Sequence, residues 1–134
     1  MLKIIQDNPD VRFVFKELPI FGAISEHAAR EAIAIKDAGG DYLGFYKTLM
    51  ATRGLDDAAI DRIAKTYGVD PAKAQQGPLR QSADAELADA HKLANELDVE
   101  GTPTFIIGDV AVPGEDMAAV KDAIAKARAS QKAS

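Results

Sequence analysis

The chain has no cysteine and no tryptophan, and only two histidines among its 134 residues. Without a thiol it can form no disulfide, present no thiolate nucleophile and build no thiolate-ligated zinc site, whatever its compartment. His27 and His91 lie far apart, and neither has an HExxH-type or triad-like context. Neither a metal centre nor any other cofactor is therefore expected. No run of about 18 apolar residues occurs, so no membrane-spanning helix is expected. Met1 to Asp10 lacks a basic region followed by an apolar stretch and a cleavage site, so no export signal is expected there. The 16 basic and 21 acidic residues, net charge -5, are interleaved and leave no basic patch for a nucleic acid.

Hydrophobic residues make up 47% and charged residues 28% of the chain, the balance of a soluble globular protein. One domain over residues 1–134 is expected, burying roughly two-thirds of the surface its unfolded chain exposes. Met1 to Asn8 reads as the end of a helix, with Leu2 and Ile5 on one side and Pro9 blocking continuation. Val11, Phe13 and Phe15 alternate with Arg12, Val14 and Lys16, which predicts a strand. Ser25 is a plausible N-cap for a helix that Gly39-Gly40 ends, and Asp41 opens another. In that helix Tyr42, Phe45, Tyr46 and Leu49 fall at i, i+3, i+4 and i+7, a buried aromatic stripe rather than a ligand groove. Asp56 or Asp57 caps the next, and Gly68 stops it. Asp70-Pro71 opens a short helix that Gly77-Pro78 is expected to close, and Ser82 starts a longer one to about Leu97.

Residues 25–97 thus form a helical insertion, far longer than a parallel crossover requires. Residues 99–130 hold a hairpin and a final helix: Thr104 to Ile107, a Gly108-Asp109 turn, Val110 to Val112, and a helix after Pro113-Gly114 that frays from Ala129. The run Gly101-Thr102-Pro103-Thr104-Phe105 carries the most information. A proline directly before a strand denies that strand its first donor, and a glycine two positions earlier lets the backbone bend. A cis Thr102-Pro103 peptide is predicted, since an X-Pro bond costs only about 0.5–1 kcal/mol to hold cis.

On these residues the chain resembles the DsbA-like branch of the thioredoxin superfamily, whose cis-proline loop reads Gly-Thr-Pro-Thr-Phe or close to it. The stretch Asp10 to Ile20 is similar to that family's second strand and following loop. His27 to Arg30 and Tyr42 to Met50 are similar to the first helices of its insert, and Leu93 to Val99 to the helix before the proline. The resemblance implies an α/β, thioredoxin-like fold, partial, with the helical insertion between the second strand and the cis-proline hairpin. It implies a thiol-disulfide oxidoreductase acting on extracytoplasmic proteins in the bacterial periplasm. In that family a first strand leads to Cys-x-x-Cys at a helix N-terminus, and this chain is expected to start after both, truncated and redox-inactive.

What the resemblance leaves is a substrate-facing wall, with Gly101, Thr102 and Pro103 as the substrate-binding residues for unfolded or extended proteins and no catalytic residue. A noncatalytic peptide-binding or chaperone-like module is the alternative, and a glutathione-linked isomerase a weaker third reading. With the first strand gone, the second would slide across to pair with the third, a homodimer would form through exposed strand edges, or the missing segment belonged to the intact protein and was lost. Of the remaining polar residues, Glu17 reads as a solvated loop carboxylate, His91 as a semi-buried packing residue and His27 as a surface residue. Glu86, Asp89, Lys92 and Glu96 read as a solvated face.

Overall fold

A computed structural model describes residues 1–133 of the chain. Among them, in chain order, are helices α1 (Leu2–Asp7), α2 (Ala23–Asp37), α3 (Tyr42–Ala51), α4 (Asp57–Thr66), α5 (Pro71–Ala74) and α6 (Gly77–Glu96). The strands β1 (Thr104–Ile107) and β2 (Val110–Pro113) and the helix α7 (Met117–Lys132) follow. The chain divides into two compact units. One is Lys16–Leu93, and the other combines Met1–Phe15 with the chain from Ala94 onward.

In the helical unit, aspartates start α3, α4 and α5, because their carboxylates accept from otherwise unpaired first-turn N–H groups. Asp41 accepts from Gly44 N at 2.8 Å, Asp56 from Ala59 N at 2.7 Å and Asp70 from Ala72 N at 3.0 Å. Two starts differ from the sequence reading. Helix α2 begins at Ala23, after Gly22 at φ 75°, so Ser25 lies inside its first turn and does not cap it. Gly77-Pro78 opens α6 instead of closing α5, because in a first turn the missing proline N–H has no helical partner to lose. The core gathers Ile35, Phe45, Leu49, Ile60 and Ala64 from α2, α3 and α4. Phe45 is fully buried and meets Tyr67 edge-on, with centroids 5.9 Å apart and planes at 76°. Ala29 and Ile33 pack separately with Ala83 and Leu87 of α6.

In the other unit β1 and β2 form an antiparallel hairpin in the register Thr104↔Pro113 to Ile107↔Val110. One face of the pleat, with Phe105, Ile107 and Val112, joins Val120, Ala123 and Ile124 of α7 and Ile4 of α1 in a second core. Asp116 caps α7 by accepting from Ala119 N, and the helix runs to Lys132, beyond the expected fraying point at Ala129. Near its end Arg128 donates to Asp10 at 2.9 Å and to Asn8 at 3.0 Å, tying α7 to the segment after α1.

The predicted strand at Val11–Phe15 is a correction. Its side chains alternate half-buried and exposed from Val11 to Lys16 as a strand's do, and Val11 and Phe13 pack on the second core. Yet the only sheet among the described residues has the order β1-β2, so the segment has not slid across to pair with another strand. A strand is defined by ladder hydrogen bonds, and here only the hydrophobic half of the signal is realised.

Candidate functional site

The turn before β1 is built by the end of α6 and the start of the hairpin. Helix α6 stops in a Schellman arrangement: Val99 N–H donates to Ala94 O at 2.8 Å and Asp98 N–H to Asn95 O at 3.3 Å, with Asp98 at φ 52°. The chain then passes Gly101 and Thr102, and the Thr102-Pro103 peptide is cis. Thr104 Oγ1 donates to Gly101 O at 2.7 Å, and Gly114 N–H donates to Pro103 O at 2.8 Å. These two bonds lock the turn on either side of Thr102. Thr102 itself is exposed, whereas Gly101 and Pro103 are half-buried. Among the described residues no hydrogen bond engages the backbone N–H or carbonyl of Thr102. The structure therefore brings the three residues singled out in sequence into one short turn that presents an unpaired donor and acceptor to solvent.

The DSBA-like thioredoxin domain family matches residues 1–125 of the chain. The chain belongs to the DSBA-like thioredoxin domain family. Among solved structures it is similar to a thioredoxin-like oxidoreductase from Silicibacter pomeroyi, at 32% identity and TM-score 0.82, covering 95% of this chain and 74% of that one. It is also similar to Proteus mirabilis ScsC in a compact conformation, at 26% identity and TM-score 0.77, covering 96% and 72%. The catalytic domain of Proteus mirabilis ScsC matches at 26% identity and TM-score 0.76, covering 95% and 71%. No curated protein matches the chain.

The fold is accordingly thioredoxin-like, mostly helical with a two-stranded sheet. The family's redox chemistry needs a thiolate, and these 134 residues contain none. No helix among the described residues is long and apolar enough to cross a membrane.

Several polar residues stand differently from their sequence reading. Glu17 is a half-buried carboxylate that accepts a hydrogen bond from Tyr42 Oη, not a solvated loop group. Burial pushes its carboxyl above the usual range, and the Tyr42 hydrogen bond pulls part of the way back. Glu86 is partly buried and ion-paired to Lys36, while Asp89 is exposed. His91 is exposed, its Nδ1 donating to Leu87 O at 2.8 Å.

His27 is not a surface residue: its side chain is 17% exposed and its Nε2 lies 2.7 Å from Asp61 Oδ1 and 3.2 Å from Glu31 Oε1. The sequence reading passed over Glu31 and Asp61. The signal available was a histidine and a glutamate four apart on one helix, with the glutamate inside the otherwise apolar run from Ala28 to Ile35.

Proposed function

We propose that this domain is a redox-inactive, peptide-binding member of its family that docks extended protein segments at Thr102 by strand addition. The observation that carries it is the exposed Thr102 with its backbone N–H and carbonyl unengaged, held between two hydrogen-bonded neighbours. Strand addition needs that: main-chain groups supply the attraction, and a fixed turn supplies the register. Apolar side chains stand nearby in the same unit, since Ile106 and Val110 of the hairpin are exposed. The family likeness supports extended or unfolded proteins as partners and the bacterial periplasm as the place of action.

The test is fluorescence anisotropy with labelled extended peptides, run beside insulin reduction. Saturable binding without turnover is expected. Thr102→Pro, which removes the backbone donor, should weaken binding at least tenfold, whereas Thr102→Val, which keeps it, should not. Equal affinity in both variants, with the fold intact by circular dichroism, would sink the proposal. A second reading is favoured by the Silicibacter pomeroyi oxidoreductase, of which the chain spans 74%. In it the same fold serves thiol-disulfide exchange together with a Cys-x-x-Cys segment, and an intact mass of the native protein distinguishes the two.

A further inference from the structure

Helices α2 and α4 bring three ligand-type side chains to one point. His27 and Glu31 share a face of α2 because they are four residues apart, and Asp61 comes from α4. One ligand atom from each lies within 4.8 Å of the other two. Acidic groups gather on many surfaces without any ion, but Glu31 is not on a surface. It is fully buried, and its Oε2 has no hydrogen-bond partner among the described residues. Gln75 reaches only Oε1, at 3.5 Å, and gives its better bond to the His27 carbonyl at 2.9 Å. A buried carboxylate oxygen left without a donor is costly, so the group calls for a proton or a cation. Burial, and then the neighbouring Asp61, push the Glu31 carboxyl well above the usual carboxylate range.

We propose that His27, Glu31 and Asp61 form a binding site for a divalent transition-metal ion, fitted to zinc, that clips α2 to α4. One imidazole nitrogen and two carboxylate oxygens are donors zinc accepts together, whereas calcium and magnesium favour all-oxygen shells. Tetrahedral zinc with ligands at about 2.0–2.2 Å holds them roughly 3.3–3.6 Å from one another. The 3.2 Å from His27 Nε2 to Glu31 is already close to that, and the 2.7 Å to Asp61 would open by roughly 0.6–0.9 Å as the ion enters between them. Asp57 Oδ2 faces the other ring nitrogen, Nδ1, at 4.0 Å. In the metal-free chain the 2.7 Å contact with Asp61 Oδ1 needs a proton on Nε2, and the bound ion would take that proton's place. Glu31 closes the site from inside, while the 37% exposure of the Asp61 side chain gives entry from solvent and room for a water as fourth ligand. The site lies wholly within the helical unit and is independent of the proposed peptide docking.

The experiment is calorimetric titration of the chelator-treated chain with zinc chloride, together with thermal melts. One zinc per chain and a raised melting temperature are expected. Glu31→Gln and Asp61→Asn should each weaken binding at least about tenfold, and His91→Ala should leave it unchanged. Absence of saturable binding at millimolar zinc, undiminished affinity in the two carboxylate variants, or loss of binding in His91→Ala would overturn the proposal. Should a carboxylate variant fail to fold, the His27 ring nitrogen signals of the wild-type chain decide. A zinc-dependent shift at Nε2 supports the site, and bound zinc without such a shift refutes it.

Discussion

At the scale of single residues, Glu17 shows how a distant partner changes the meaning of a side chain. Followed by Leu18-Pro19, it has the local sequence of a loop carboxylate; its partner Tyr42 is 25 positions away and invisible to any local pattern. Burial raises the Glu17 carboxyl first, the Tyr42 hydrogen bond and the Lys36 charge lower it, and the Glu86 charge raises it again. A folded value above the unfolded 4.5 means that the fold favours the protonated form. This group's contribution to stability is therefore complete below that unfolded value and is lost as pH rises through the folded one. A carbon-detected titration of the Glu17 carboxyl should give a midpoint above 4.5, moving higher in Tyr42→Phe as the donor disappears. A midpoint at or below 4.5 would show that solvation, not burial, rules at this position. The same blindness hid Glu31: a lone acid in an apolar helical run reads as an exposed interruption until α4 supplies Asp61 beside it.

At the scale of elements, three helices end alike. In α2 the N–H of Gly40 returns to Ile35 O at 2.8 Å with Gly39 at φ 73°; in α4 Val69 returns to Ala64 O at 3.2 Å with Gly68 at φ 84°. Both glycines were readable as stops. The end of α6 has the same bonds but places Asp98 in the left-handed region, at φ 52°. A side chain there carries a steric cost that glycine lacks, so Asp98→Gly should stabilise the protein by about 0.5–1 kcal/mol. The measurement is a urea melt; a midpoint that falls would mean that the Asp98 side chain contributes more than its backbone strain removes. Helix positions and most caps were legible because apolar periodicity and aspartate capping are local. The Val11–Phe15 pairing and the start of α6 were not, because alternation does not specify a partner and Gly-Pro serves a helix beginning as well as an ending.

At the scale of the whole molecule, two cores divide the stabilising burial, one around Phe45 and Ile60 and one around Val120 and Ile124. Phe45→Ala should cost about 3–5 kcal/mol and Ile124→Ala about 2–5 kcal/mol. Hydrogen exchange read by mass spectrometry should show the first loss of protection within 16–93 for Phe45→Ala, and within 1–15 and from 94 onward for Ile124→Ala. Identical loss patterns for the two variants would show a single cooperative unit. The turn at Gly101–Pro103 carries one more consequence. Gly101 O is bonded to Thr104, Pro103 O is bonded to Gly114, and proline has no N–H, so within the turn Thr102 alone offers both a donor and an acceptor. Under the proposed docking, a client in the antiparallel sense would be gripped through the main chain of a single facing residue. Proteins of unrelated composition would then compete for one berth, one at a time.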